Sequence, residues 1–265
     1  MNIDKRLSYI ITTLLYVGVS AFLYVFNLVN YRGALLLSFA VFFVAGYFIA
    51  FKSLQRIRYI GLLSLAIISF LYFFTSLNTL FVIIYITATA FGFYLNLLAL
   101  NIYNISEKTN KPLPLLQAAK LVIFIALILI VFLCSTVIYK INFSYVGGMG
   151  STFIQLVLFS FLYLALFNSI IEWFFSEDKI GELKTRNILV SIGSLRTFAV
   201  LYLSQLSLVL MFTRLEDFGR GLFLAANTYV LVNFIQVIIN RTLNKRFFIE
   251  SISILLVIYI LIYYL

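Results

Sequence analysis

Residues 172–220 carry six of the chain's nine carboxylates. Carboxylates are the groups in this sequence best suited to act as a base or to hold a cation. They form two sets. Glu172, Glu177, Asp178 and Glu182 share one polar connection, where they could bind a divalent cation together with a lipid phosphate. Their spacing matches no carboxylate motif, and a charged face in water is the simpler reading. Glu216 and Asp217 share the short segment TRLEDFGRG with Arg214 and Arg220. An acid there could be the base of a transferase working on a lipid-linked substrate. It would equally serve to end two helices and pair with the neighbouring arginines.

The other usual carriers of chemistry are scarce. The chain has no histidine and one cysteine. Without histidine, the commonest metal ligand and the commonest general base are missing. Zinc sites and Ser–His or Cys–His nucleophile systems in their usual forms are therefore excluded. Cys134 sits in the apolar run LVIFIALILIVFLCSTVIY, where it reads as a small buried packing residue, since a reactive thiol needs an exposed, electropositive setting. The sequence implies no metal and no cofactor.

These few polar groups must be positioned by hydrocarbon-like elements. The chain of 265 residues is 64% hydrophobic and only 11% charged, with a mean hydropathy of +1.11. Soluble domains carry about 25% charged residues, so the class is all-α and polytopic, a transmembrane helix bundle. Nine spans are expected, near 8–28, 34–51, 59–75, 79–102, 118–139, 151–173, 194–213, 221–239 and 247–265, within a single membrane domain covering 1–265. Only Ser76, Leu77 and Asn78 divide the third span from the fourth, which implies a tight hairpin. The small residues Thr87, Ala88, Thr89, Ala90 and Gly92 suggest close internal packing on the fourth. SYVGGMGS reads as a loop.

The net charge of +10 would suggest nucleic acid in a soluble chain. Here the cations lie between apolar runs and read as topology determinants and headgroup contacts; no nucleic-acid partner is expected. Fourteen of the Lys and Arg residues fall in alternate connections, from Lys5 and Arg6 to Arg241, Lys245 and Arg246. Four (Arg32, Lys140, Arg214 and Arg220) fall in the others. That asymmetry orients the N-terminus inside and the C-terminus outside. In the inside connection after the sixth span, Ser176 suits an N-cap, and Ile180, Leu183, Ile188, Ile192 and Leu195 fall mostly on one side. A short amphipathic helix on the cytoplasmic face is expected near 176–193.

Arg196 is the one cation not assigned to a connection. If its span starts near 187, it lies deep in the membrane, with Glu172 or Glu250 as a partner. If the span starts near 194, it is an interfacial anchor, the reading favoured here because 197–213 is long enough to cross alone. Amides are the remaining polar groups. Asn233, Gln236 and Asn240 recur at three- and four-residue spacing, so one face of the eighth span is a candidate wall of a polar groove. Arg196, Glu172, Glu250, Asn233, Gln236, Asn240, Glu216 and Asp217 are thus the candidate substrate-binding residues; none is assigned a catalytic role.

The expected function is that of a multi-pass membrane protein, a non-enzymatic transport or assembly subunit touching lipid, a hydrophobic solute or partner helices. Membrane lipids are its expected partners, together with another membrane protein or further copies of itself. The alternative is a membrane-embedded transferase acting on a lipid-linked substrate. Abundant Ile, Phe, Tyr, Lys and Asn suggest an AT-rich genome, and the expected location is a prokaryotic plasma membrane. The charge asymmetry generates a direct test. Single cysteines placed after Lys5 and beside Leu265 should react with an impermeant thiol reagent from opposite sides of intact cells. Labelling of both from one side would overturn the orientation.

Overall fold

Inside a bilayer no water is available to the backbone, so a spanning segment closes its own hydrogen bonds as a helix. The computed structural model of the chain describes residues 5–26, 62–63, 66–67, 78–109, 115–140, 148–174, 192–240 and 245–264. Among them stand seven α-helices and no strands: α1 (Lys5–Val25), α2 (Thr79–Thr109), α3 (Leu116–Lys140), α4 (Gly148–Phe174), α5 (Ile192–Met211), α6 (Asp217–Asn240) and α7 (Lys245–Tyr264). Six are long and apolar enough to cross a membrane, and α7 holds a shorter apolar stretch, Phe248–Ile260. The chain is thus built as a helical, multi-pass membrane protein. The expected spans at 34–51 and 59–75 lie outside the described residues, apart from Leu62, Leu63, Ala66 and Ile67, which are helical. The expected interfacial helix near 176–193 lies outside them as well, except at its last two residues, which open α5.

Several helices run past their expected limits. α2 continues seven residues beyond 102 and carries Glu107 and Lys108 in its last turns. α4 begins at Gly148, so the end of the glycine-rich segment is helical. α6 begins at Asp217, a carboxylate in the first turn, where the helix dipole favours negative charge. The pattern is common to all three: hydropathy marks the part of a helix inside the hydrocarbon, while the helix itself continues into the interface.

The chain divides into two compact units, Met1–Ile130 and Val131–Leu265, the division falling within α3. In the first unit, α1 packs on α2. The fully buried Tyr16 stacks on Phe93 with ring centroids 5.7 Å apart, and the hydroxyls of Tyr16 and Thr89 are 2.6 Å apart. Tyr85 donates to the Ile67 carbonyl at 3.0 Å. The small-residue stretch of α2 meets expectation in part. Ala90 is buried and Thr89 meets Tyr16 of α1, whereas Ala88 is exposed and a Cβ placed on Gly92 meets nothing within 4 Å; Val82, Ile86, Phe93 and Leu97 complete the buried face.

In the second unit, α4 packs on α5, α5 on α6 and α6 on α7. The end of α3 meets α4 through Tyr139 and Phe159, whose centroids lie 4.8 Å apart. It meets α6 through an edge-on contact of Phe132 with Phe218 at 5.1 Å. At Gly221 the approach of α6 to α3 is closest. A Cβ there would collide with the Thr136 hydroxyl, and would stand 3.1 Å from the Phe132 carbonyl oxygen and 3.2 Å from the Thr136 amide nitrogen. The hydroxyl could swing aside, but the two backbone atoms could not. Gly221→Ala should therefore destabilise the protein by about 1–3 kcal/mol through overpacking. Gly92→Ala, the same change in open space, should be neutral or stabilising by up to about 1 kcal/mol. Thermal unfolding in detergent checks both, and equal behaviour of the two variants would refute the close approach.

Candidate functional site

Several polar side chains of the second unit meet along the seam of α3, α4 and α5 and at the corner joining α5 to α6. At the corner, α5 closes with tightened turns, Phe212 N–H to the Val209 carbonyl and Thr213 N–H to the Leu210 carbonyl, both 3.1 Å. Arg220, one turn into α6, reaches back across the connection. Its Nη2 donates to the Thr213 carbonyl at 2.8 Å and its Nη1 to Asp217 Oδ1 at 3.2 Å. Its guanidinium carbon lies 5.4 Å from the centre of the Tyr139 ring, a cation–π arrangement. Asp217 thus stands in the first turn of α6, where the helix dipole favours it, and is the partner of Arg220.

Along the seam, Tyr139 OH donates to the Ser207 carbonyl at 2.9 Å, and Ser207 Oγ donates to the Ser204 carbonyl at 2.8 Å. The hydroxyls of Ser204 and Ser160 are 3.1 Å apart across α5 and α4. Gln155 Nε2 donates to the Ile138 carbonyl at 3.2 Å, joining α4 to α3. Ser135 Oγ and Tyr163 OH are buried, and neither has a geometrically sound hydrogen-bond partner among the described residues. Beside the seam, the start of α4 (Gly148, Met149, Thr152, Phe153 and Leu156) and the end of α5 (Leu208 and Phe212) line an open, apolar groove of about 660 Å³.

These contacts bring the end of α3, the start of α4, the end of α5 and the start of α6 to one end of the unit. Lys140, Arg214, Glu216, Asp217 and Arg220 all belong to that end. Glu216 is exposed, and Asp217 is half-buried and held by Arg220. Arg196 belongs to the opposite end, in the first turns of α5 and exposed. Its Nη1 donates to Asn168 Oδ1 of α4 at 2.7 Å. Glu172 stands one helical turn beyond Asn168, its side chain outside the described residues. Glu250 is exposed near the start of α7. Asn233 and Gln236 are half-buried on α6, and the side chain of Asn240 lies outside the described residues. Among the described residues, no three His, Cys, Asp or Glu side chains are grouped so as to hold a metal ion.

Sequence reading missed the hydroxyls. The seam is built from Tyr139, Ser160, Ser204 and Ser207, single polar residues scattered in apolar runs, and only their cross-helix contacts make them one feature. Their types gave a faint signal, since four hydroxyl residues (Ser135, Thr136, Ser204 and Ser207) sit in mid-run without proline or glycine nearby.

The exposed Arg196–Asn168 contact generates the next prediction. Either cation donates to an amide oxygen, so Arg196→Lys should cost less than about 1 kcal/mol, whereas a buried, multiply bonded guanidinium would not tolerate the change. Detergent unfolding of Arg196→Lys and Arg196→Ala measures it, and a large loss with lysine would make Arg196 part of a buried site. Comparison of the chain with protein-family models, curated proteins and solved structures finds no match in any of the three.

Proposed function

We propose that the chain is a non-enzymatic transport or assembly subunit of a prokaryotic plasma membrane, its apolar faces in contact with lipid, a hydrophobic solute or partner helices. The observation that carries this reading is α7. Every described side chain from Phe248 to Ile260 is exposed or half-buried, including Ile249, Ile252, Leu256, Val257 and Tyr259. A helix that packs on α6 and leaves most of its apolar surface open offers that surface to lipid or to another helix. The partner would be a different membrane protein or another copy of this one.

The alternative is a transferase acting on a lipid-linked substrate, with Glu216 or Asp217 as its base. The corner geometry weighs against it. Asp217 is already bound by Arg220, which also ties down the Thr213 carbonyl, so the acid is employed in closing a turn. Purification from native membranes separates the two readings. A stoichiometric protein partner supports the subunit, and a retained polyprenyl-linked lipid with no protein partner supports the transferase. In a complementation assay, Glu216→Gln combined with Asp217→Asn should retain function at unchanged membrane abundance. Loss of function at full abundance would overturn the subunit reading in favour of the enzyme.

A further inference from the structure

We infer that two copies of this chain meet along the exposed face of α5, with Gln205 of one copy hydrogen-bonded to Gln205 of the other. This rests on the membrane-subunit reading, which sets α5 in a bilayer beside a partner, and it names that partner. The buried side of α5 is Ala199, Leu203, Ser207 and Leu210. The opposite side carries Phe198, Leu201, Val209 and Phe212, each more than half exposed. Their spacing of three and four residues puts Gln205 in the middle of one apolar stripe.

Gln205 separates this stripe from an ordinary lipid-facing one. It stands well inside the spanning stretch Gly193–Met211 and is exposed. Among the described amides that lie inside such stretches, away from their ends, no other is exposed. Asn96, Gln155, Asn168 and Asn227 each have a hydrogen bond within the chain, and the Gln205 side chain makes none among the described residues. An unbonded amide in hydrocarbon is costly, and lipid chains offer it no partner. A second helix does.

The amide also selects which helix that is. Copies of one chain enter the membrane in one orientation, so a two-fold axis between them stands along the membrane normal. A residue on the touching face then meets its own counterpart at equal depth. Glutamine suits that position because its amide carries both donor hydrogens and an acceptor oxygen. Two glutamines face to face exchange a pair of hydrogen bonds, which a side chain that only donates or only accepts could not do. At the end of the stripe, Phe212 also lines the open apolar groove beside α4, a recess able to take an aromatic ring of the second copy.

The test uses the full chain in native membranes, with the buried Cys134 left in place. Leu201→Cys and Val209→Cys, one helical turn either side of Gln205, should each give a disulfide-linked homodimer under a mild oxidant. Ile252→Cys, 62% exposed on α7, should not. Sedimentation equilibrium of the purified chain in density-matched detergent then reads the amide. Gln205→Leu should raise the dimer dissociation constant roughly three- to tenfold, the weight of one or two interhelical hydrogen bonds. Gln205→Asn, which keeps donor and acceptor, should weaken the dimer less than Gln205→Leu. A monomeric wild-type chain overturns the inference, as does a Gln205→Leu variant that associates as well as wild type. Linking through Ile252→Cys instead, or linking of the α5 cysteines to a different protein, removes this seam and leaves the subunit reading standing. A monomer that retains a polyprenyl-linked lipid removes both.

Discussion

Polar hydrogens in the membrane-embedded part of this protein are met mostly by the protein itself, with the buried hydroxyls of Ser20, Ser135 and Tyr163 as exceptions among the described residues. Water is absent, and an unmet donor costs several kcal/mol in hydrocarbon. Threonine and serine meet the constraint locally. Thr12, Thr13, Thr87, Thr89, Thr136, Ser160 and Thr228 each donate to the carbonyl four residues earlier. Asn96 and Asn227 do the same through their side-chain amides. A polar residue that folds back onto its own helix is compatible with lipid on any side, yet Thr89, Ser160 and Asn227 also meet side chains of other helices.

The groups that cannot bond within their own helix are the ones that organise the bundle. A tyrosine hydroxyl lies too far from its own backbone to reach it. Tyr16 therefore finds Thr89, Tyr85 finds the Ile67 carbonyl, Tyr139 finds the Ser207 carbonyl, and Tyr202 finds Asn227 at 3.2 Å. Each of these bonds joins segments distant in sequence. The large ring supplies dispersion and the hydroxyl supplies register, which suits a medium where hydrophobic burial gives no preference of helix for helix over lipid. Arg220 extends the same logic to charge, meeting an acid, a carbonyl and the Tyr139 ring together.

What the sequence made legible follows from this division of labour. Long apolar runs separated by cations located six spanning helices among the described residues, because length and hydropathy are properties of single segments. The amides were read as cross-helix groups, which suits Gln155 and Asn168; Asn96 and Asn227 also donate to carbonyls of their own helices. The pairing of Arg196 with Asn168 was missed, since the expected partners were carboxylates. Gly221 was taken as the start of a span, and its role in letting α6 approach α3 depends on Thr136, 85 positions earlier in the numbering. Small residues alone did not reveal it: Ala88 and Gly92 have a more suggestive spacing and lie against open space. Contacts between segments are a property of the pair, and a single sequence lists only the members.

The spans differ in length. The apolar stretches Leu7–Val25 and Gly193–Met211 have 19 residues each, while Thr79–Tyr103 and Leu116–Lys140 have 25 each. At about 1.5 Å per residue the short pair covers roughly 28 Å and the long pair roughly 37 Å, against a hydrocarbon core of about 30 Å. The longer stretches need not sit wholly in hydrocarbon. Leu116–Lys140 holds Lys120 near one end and Lys140 at the other, and the run of 19 residues between them, 121–139, equals the short pair in length. The extra turns of α3 thus carry its lysines out to the headgroups, where a cation is at home.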